Sequence, residues 1–475
     1  MVDQNRAPLW EALQRYKDLN RESYHVPGHK NGRIFPKEAR EIFREILKID
    51  ATEIDGLDDL HHPAGVIRAA EGLARDHFGS EETHFLVNGS TSGNLAMILA
   101  VCRRGSRVLV QRNAHKSVMH GLELAGVEPV FLSPEWEEET GRFSDFTAQR
   151  VQEGYEQFPD ASALIVTYPD YFGRTYDLEA IVRFAHDKGM PVLVDEAHGV
   201  HFSLHDNFPK DALSTGADVV VQSAHKMAPA MTMGAYIHIQ GSLVSRERLR
   251  SKLQVVQSSS PSYPILASLD LARNYLAEWK EGNLFSFLKK VREELDSFTD
   301  QWEVSSRTEK DDLLKVSIRP ASIDGFTLAS MLEEQGVYPE MATSKEVLLT
   351  FGLEVSEMWA KDKDAFKEVS RLLQNEEKHA KIKGADIAFP AVGQLDATYE
   401  EMERMPTFVV DLEDAIGYLA AEAVIPYPPG IPIVLKGERI RSEQVEMISI
   451  LLKQQATFQN ENIETSLTIF EEAWS

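Results

Sequence analysis

Short apolar runs alternate with helical patterns from about residue 83 to residue 240. Each run ends in polar or glycine-containing residues, and apolar strands that alternate with helical segments are typical of an α/β domain with a mostly parallel sheet. The predicted strands are His84–Val87, Arg107–Gln111, Pro129–Leu132, Ala163–Thr167, Pro191–Val194, Val219–Val221 and Ala235–Ile239.

The pattern changes on both sides of this region. Asn5 to Leu47 has the pattern of a helical arm that is interrupted at His25–Gly32, where proline and glycine mark a loop. After Leu284 the chain is more charged and helical, and we expect a smaller α+β domain there. Its predicted elements are the strand Leu313–Ile318, the helix Thr327–Gln335 and the strand Val347–Phe351.

A chain of 475 residues is too long for one hydrophobic core, so we expect several domains. The changes in pattern predict an N-terminal arm at residues 1–48, a large domain at 49–284, a small domain at 285–385 and a C-terminal segment at 386–475. The charged stretch Asn375–Gly384 is expected to be a solvated helix or a linker.

Composition excludes several classes of function. A formal net charge of −25 argues against nucleic-acid binding, because phosphates require a basic surface. The one cysteine, Cys102, leaves no internal disulfide and no cysteine cluster for a metal. Residues 1–10 lack the pattern of a signal peptide, and no apolar run approaches the roughly 20 residues that span a bilayer. We therefore expect a cytoplasmic protein without a metal or a membrane partner.

A lysine and an acid follow two of the predicted strands. Lys226 comes shortly after the strand Val219–Val221, and Asp195 ends the preceding strand, 31 residues earlier. Neighbouring parallel strands would bring both side chains to one edge of the sheet. An enzyme that uses pyridoxal 5′-phosphate (PLP) needs such a pair, the lysine for a Schiff base and the acid for the pyridine nitrogen.

Hydroxyl groups follow an earlier strand at the predicted start of a helix. Ser90, Thr91 and Ser92 would surround the backbone N–H groups of that helix start and make a cup for an anion such as a phosphate. An ordinary helix cap is the alternative, since serine and threonine are favoured there in any case. No Gly-Lys-Ser/Thr follows, so the segment is not a P-loop.

Histidines lie near the ends of these strands as well. His115 can stack on a flat cofactor ring, although a surface loop histidine is the alternative explanation. Ser223 and His225 lie on the turn that leads to Lys226 and can reach a phosphate. The letters Asp195 to His198 also occur at the ends of helicase strands, but the phosphate-binding loop that such an ATPase requires is missing from this sequence.

These motifs resemble the Orn/Lys/Arg decarboxylases of fold type I, in the short bacterial form without an N-terminal wing domain, and within it a bacillus-type branch. The matching stretches span nearly the whole chain. They are His25–Gly32, Leu57–Ile67, Asn88–Asn94, Arg112–Val118, Val194–Gly199, Ser223–Lys226, Gln257–Asp270 and Tyr427–Glu438.

The resemblance implies a PLP site in the large domain. Lys226 would hold PLP, Asp195 would pair with the ring nitrogen, and His115 would stack on one ring face, with Ala197 and His198 on the other. It also implies dimers or larger assemblies with active sites at the subunit interface. The phosphate would be held by Ser90, Thr91, Ser92, Ser223 and His225.

We therefore expect decarboxylation of a basic L-amino acid, which is arginine, lysine or ornithine. Lys226 or His198 would return a proton to the α-carbon. An aminotransferase on the same fold, or a PLP-binding protein with a regulatory role and weak turnover, are the alternatives. A cationic side chain needs an acid, and the sequence offers several without choosing among them: Asp58, Asp59, Glu340 and Glu438.

Two stretches depart from the family pattern. Residues 227–233 differ from the segment that many arginine-active relatives have after the lysine, and Lys436 stands where a proline is usual. Both departures concern the substrate rather than the cofactor.

Overall fold

The computed structural model describes residues 3–137, 140, 142–298, 300–306, 308–374, 389–426, 430–454 and 456–471. The helices are α1 Pro8–Leu19, α2 Arg40–Leu47, α3 Val66–Phe78, α4 Gly89–Val101, α5 Lys116–Ala125, α6 Ala148–Gln157, α7 Leu178–Asp187, α8 Ala224–Met227, α9 Arg246–Val256, α10 Tyr263–Glu278, α11 Leu284–Asp296, α12 Gly325–Glu334, α13 Trp359–Leu373, α14 Tyr399–Met402 and α15 Ser442–Lys453.

The strands are β1 Glu82–Leu86, β2 Arg107–Gln111, β3 Glu128–Leu132, β4 Trp136–Glu137, β5 Arg142–Phe143, β6 Leu164–Thr167, β7 Val192–Asp195, β8 Val219–Gln222, β9 Ala235–Ile239, β10 Trp302–Val304, β11 Lys315–Pro320, β12 Met341–Ala342, β13 Val347–Thr350, β14 Val392–Gln394, β15 Thr407–Asp411 and β16 Ser466–Phe470.

The chain forms two compact units. The first consists of Met1–Cys102 and Ala185–Lys280, and the second of Arg103–Phe184 and Glu281–Ser475. The fold is α/β with a mostly parallel central sheet, as the sequence predicts.

The first unit contains strands in the order β1-β9-β8-β7. β7 and β8 pair in parallel from Leu193–Val219 to Asp195–Val221, whereas β9 runs antiparallel to both of its neighbours. Helix α4 packs on these strands, and Gly93 permits the close approach, because a Cβ there would lie 2.7 Å from side-chain atoms of Leu86 and Val221. Because β7 and β8 are parallel, Asp195 at the end of β7 and the turn that leads from β8 to Lys226 lie at the same edge of the sheet.

The second unit contains β6, β2 and β3 in parallel, with β14 antiparallel at the edge. A separate four-stranded antiparallel sheet, β10-β11-β13-β12, packs its core residues with those of α11, α12 and α13. A further core contains residues of α15 and of the antiparallel strand pair β15–β16. This agrees with the predicted smaller α+β part of the chain.

The predicted strands of the large sheet are confirmed to within two residues at each end. The strands β4, β5, β10, β12, β14, β15 and β16 were not predicted. The expected domain boundaries remain predictions, and the stretch Asn375–Gly384 lies outside the described residues. Within the described ranges, no helix is both long enough and apolar enough to cross a membrane.

Candidate active site

Asp195 ends β7 as a buried carboxylate, with 3% of its surface exposed. Its Oδ2 accepts a hydrogen bond of 2.9 Å from Nδ2 of Asn94, whereas Oδ1 has no hydrogen-bond partner in the described part of the chain. Burial raises the pKa of Asp195, and the charge of Lys226 and the hydrogen bonds from Asn94 and the Ala197 N–H oppose this rise. A buried carboxylate of this kind calls for a cationic donor at Oδ1.

Lys226 lies on the short helix α8, directly after β8, and its side chain is exposed. Its Nζ is 3.0 Å from Nε2 of His198, a buried histidine three residues after Asp195. Because β7 and β8 are parallel, the acid, the histidine and the amine come together at one edge, as the sequence predicts.

The helix start of α4 supplies hydroxyl groups to the same unit. Ser223 Oγ donates to Ser90 Oγ at 2.7 Å, so the two predicted phosphate ligands meet although 133 residues separate them. Ser92 is buried and donates to the carbonyl of Gly89 at 2.8 Å, whereas Thr91 is exposed.

The N-cap residue of α4 does not cap the helix with its side chain. The Oδ1 of Asn88 accepts instead from the backbone N–H of Ser258 at 3.3 Å. The alternative explanation of this segment as an ordinary side-chain cap is therefore weakened, and an anion site at the helix start is favoured.

His225 has a restricted role at such a site. Its Nδ1 is 3.0 Å from the carbonyl oxygen of Gly234, and since a carbonyl only accepts, Nδ1 carries the proton. Burial lowers the pKa of His225, and the charge of Lys226 adds to this effect. The ring can therefore donate to a phosphate through Nε2 only when it is doubly protonated, which a phosphate dianion would favour.

His115 lies in the second unit as the N-cap of α5. Its Nδ1 is 3.2 Å from the backbone nitrogen of Ser117 and 2.9 Å from the Ser117 hydroxyl. Arg112, three residues before His115, is buried and donates to the carbonyls of Pro432 and Ile433 and to the carboxylate of Glu438. These contacts fix the loop that presents His115, whose stacking role stays a prediction.

The candidate acids for a substrate side chain mostly have other contacts. Asp58 accepts from the backbone N–H groups at the start of α3; burial opposes ionisation, but these hydrogen bonds lower its pKa overall. Asp59 accepts from the backbone N–H of His61 at 2.7 Å. Glu438 pairs with Arg112 at 3.0 Å, and Glu340 accepts from the hydroxyl of Tyr171 at 2.7 Å.

Asn94 is a site residue that the sequence reasoning did not single out. Its amide holds Asp195 Oδ2, and it lies four residues after Ser90, so both side chains share one face of α4. The sequence does contain a signal for Asn94. It is a polar residue one helical turn inside an otherwise apolar helix, after the hydroxyl-rich helix start.

The residues present fit PLP. Oδ1 of Asp195 is a buried acceptor for a protonated ring nitrogen, Ser90 and Ser223 meet at a helix start suited to a phosphate, and the amine of Lys226 is accessible. These groups lie in one compact unit.

Two family models match this chain. The Orn/Lys/Arg decarboxylase major domain matches residues 7–311, and the Orn/Lys/Arg decarboxylase C-terminal domain matches residues 388–461. The chain belongs to the Orn/Lys/Arg decarboxylase family. The resemblance drawn from the motifs is thereby confirmed.

Relatives from Bacillus cover almost the whole chain. The uncharacterised protein YaaO of Bacillus subtilis (strain 168) is 42% identical over 94% of this chain and 94% of its own length. The arginine decarboxylase of the same strain is 33% identical, again with 94% of each chain covered.

Solved structures agree on the fold. The constitutive lysine decarboxylase of Escherichia coli superposes with a TM-score of 0.82 at 19% identity, over 99% of this chain and 82% of that chain. A structure of SPT with PLP superposes with a TM-score of 0.53 at 18% identity, over 71% of this chain and 83% of that chain. The fold is that of fold type I PLP enzymes, and PLP is the cofactor of this decarboxylase-family chain.

Proposed function

We propose that this member of the Orn/Lys/Arg decarboxylase family decarboxylates a basic L-amino acid, which is arginine, lysine or ornithine, to the corresponding amine and carbon dioxide. The observation that supports it most is the grouping of Asp195, His198 and Lys226 at one edge of the parallel strand pair. Bound PLP supplies a cationic ring that withdraws the electrons left at the α-carbon when carbon dioxide departs.

Asp195 is proposed to keep that ring charged. Its buried Oδ1 would accept from the ring nitrogen, while Asn94 holds Oδ2 and so fixes the plane of the carboxylate. A carboxylate in a buried position stabilises a neighbouring cation more strongly than one in water does.

Lys226 and His198 are proposed to handle protons. The 3.0 Å contact between Nζ and Nε2 allows a proton to be held between the amine of Lys226 and the imidazole of His198. We assign the return of a proton to the α-carbon to Lys226, with His198 in support. The phosphate is assigned to Ser90, Thr91, Ser92, Ser223 and His225, and the faces of the ring to His115, Ala197 and His198.

The substrate class follows from the family and from the Bacillus relatives. The arginine decarboxylase of Bacillus subtilis favours arginine as the first substrate to test. Asp58 and Glu438 are engaged in backbone hydrogen bonds or ion pairs, which makes them poor choices for the acid that binds the substrate cation.

A homodimer or larger homo-oligomer with sites at the subunit interface belongs to the same proposal. Its support is the exposure of apolar side chains on the N-terminal arm, where Tyr24 is 93%, Val26 63% and Ile42 83% exposed. We also propose a cytoplasmic location, as the sequence predicts, and a place in polyamine metabolism, since the amine products would be diamines or agmatine.

Product analysis by mass spectrometry tests the proposal. Purified protein with added PLP is incubated separately with L-arginine, L-lysine and L-ornithine. Agmatine, cadaverine or putrescine above a Lys226→Ala control is the expected result, and it names the substrate. Absence of every amine, with or without a keto acid in its place, would remove the decarboxylase assignment.

A further inference from the structure

A chain of buried hydrogen bonds extends from the residue next to Asp195. Glu196 Oε2 accepts from Nε2 of Gln222 at 2.6 Å, and the Gln222 Oε1 lies 3.0 Å from Nε2 of His238. The other ring nitrogen of His238 is 2.8 Å from the hydroxyl of Thr83, which is 2.8 Å from the hydroxyl of Ser80. The chain crosses β8, β9 and β1 inside the first unit.

The first link of this chain couples the ends of the two catalytic strands. The parallel pairing of β7 and β8 stops at Asp195 and Val221, and one further backbone bond joins the Glu196 N–H to the Val221 carbonyl at 2.8 Å. Beyond it, the side-chain bond from Gln222 to Glu196 joins the strands, directly after Asp195 and directly before Ser223.

Glu196 is also tied to the segment that leads into β8. Its Oε1 accepts from the backbone N–H of Ala212 at 2.7 Å, so both carboxyl oxygens have partners although the side chain is fully buried. Burial raises the pKa of Glu196 well above its ordinary value, and the charge of Asp211 adds to this effect.

The neutral form of Glu196 satisfies the whole chain. If the amide of Gln222 is turned over, a protonated Glu196 would donate to the Gln222 oxygen, the Gln222 nitrogen would donate to Nε2 of His238, and Nδ1–H of His238 would donate to Thr83. Burial lowers the pKa of His238 to about 3, with smaller effects of His84 and His77, which agrees with a neutral ring. A glutamine at position 196 can make the same bonds.

We propose that Glu196, through its hydrogen bond to Gln222, is a positioning residue that fixes the carboxylate of Asp195 relative to the turn from Ser223 to Lys226. The inference rests on the proposed function. It adds that activity requires Glu196 and Gln222, which are not among the residues assigned to bind the cofactor. Loss of the bond would let the two strand ends shift, and a displacement of about 1 Å in a catalytic group can cost about 100-fold in rate.

The test compares Glu196→Gln with Glu196→Leu in the PLP-loaded protein. The readouts are the visible absorbance of the bound cofactor, its titration with pH, and kcat and KM separately, with the midpoint of thermal unfolding as a check of folding. Asp195→Asn serves as the reference, because it shows how the absorbance and the pH titration of the cofactor change when the ring nitrogen loses its charged partner. We expect Glu196→Gln to match the wild type, and Glu196→Leu to lose about 10- to 100-fold in kcat and to shift its cofactor titration towards that of Asp195→Asn.

Gln222→Met serves as the second variant, because it removes the same link at nearly constant volume and leaves Glu196 in place. It should reproduce the spectral shift of Glu196→Leu. The proposal is overturned if either folded variant keeps the wild-type titration and kcat, or if Glu196→Gln is as impaired as Glu196→Leu. A wild type without a cofactor absorbance that depends on Lys226 would instead refute the proposed function itself.

Discussion

Asp195 is the residue on which the electrostatics of the site depend. Its carboxylate is buried and has one oxygen bound by Asn94, and we propose that the other would accept from the ring nitrogen of bound PLP. Asp195→Asn keeps the shape but removes the charge, so we predict a loss in kcat/KM on the order of 100-fold or more. Steady-state kinetics will measure it, with the exposed Asp76→Asn as a control that keeps wild-type activity.

Single residues of the site were predictable to different degrees. Asp195 could be found because it ends an apolar strand, and Lys226 because it comes shortly after one. Ser90 and Ser223 could be found because hydroxyl groups at strand ends suggest an anion site. Asn94 was missed, although a polar residue one turn inside an apolar helix is a signal for it. Glu196 could not be found, because its contact with Gln222 depends on how two strands pack.

Helix α4 is positioned by the absence of a side chain at Gly93. A Cβ there would lie 2.7 Å from Leu86 Cδ1 and from Val221 Cγ1. Gly93→Ala should therefore destabilise the protein by about 1–3 kcal/mol through overpacking and weaken PLP binding at the helix start. Gly72→Ala in α3 is the matched control, since nothing lies within 4 Å of its Cβ position.

Denaturant unfolding of the two variants measures this difference. Gly72→Ala should be neutral or stabilising by up to about 1 kcal/mol, because alanine favours a helix over glycine. Equal midpoints for the two variants would contradict the assignment of Gly93 as the close-approach residue.

A charged cluster joins α3 to β1. The ring nitrogens of His84 lie 3.7 Å from Glu71 and 3.5 Å from Glu82, and Arg250 also pairs with Glu82. Burial by itself lowers the pKa of His84, but the hydrogen bonds and charges of Glu71 and Glu82 raise it to about 9. Because the pKa of His84 is higher in the folded than in the unfolded protein, protonated His84 stabilises the fold. This stabilisation is complete below the unfolded pKa and is lost as the pH rises through the folded pKa.

The predicted stability effect of His84→Gln therefore depends on pH. The variant should be less stable than the wild type at about pH 6, and the difference should shrink between about pH 6.5 and pH 9 as the wild-type histidine loses its proton. Urea unfolding at several pH values will measure it. A difference that stayed constant or grew with pH would show that His84 is not charged in the folded protein.

Elements of the large sheet could be predicted because buried parallel strands are continuous apolar runs, as in Val192–Asp195 and Val219–Gln222. The strands β15 and β14 were missed because most of their residues are exposed or half-buried, which removes the apolar signal. Their pairing partners, β16 and β3, are far away in sequence and hold them in place.

The whole molecule presents exposed apolar side chains on its N-terminal arm. If they form a dimer interface, a charge at Ile42 should disrupt it, because an unpaired carboxylate is costly to bury. We predict that the wild type elutes at twice the chain mass of 53.5 kDa in light-scattering chromatography, and that Ile42→Asp elutes nearer to one chain mass. Tyr338→Asp, at a position 79% exposed outside the arm, is the control that leaves the dimer intact.

The sequence predicted the class of protein, but it did not predict how the chain divides into compact units. A net charge of −25 argued against nucleic acid, and the motifs gave the family. The two compact units each combine segments that are distant in sequence, Met1–Cys102 with Ala185–Lys280 and Arg103–Phe184 with Glu281–Ser475. Domains predicted from changes in the sequence pattern are contiguous ranges, so units that combine distant segments could not be predicted in this way.

The proposed function depends on the attachment of PLP to Lys226. Borohydride reduction of the PLP-loaded protein, followed by digestion and peptide mass spectrometry, locates the attached cofactor directly. We expect the mass of reduced PLP on the peptide that contains Lys226, and the loss of this mass in Lys226→Ala. Attachment at another lysine, or no stable attachment to the wild type, would contradict it.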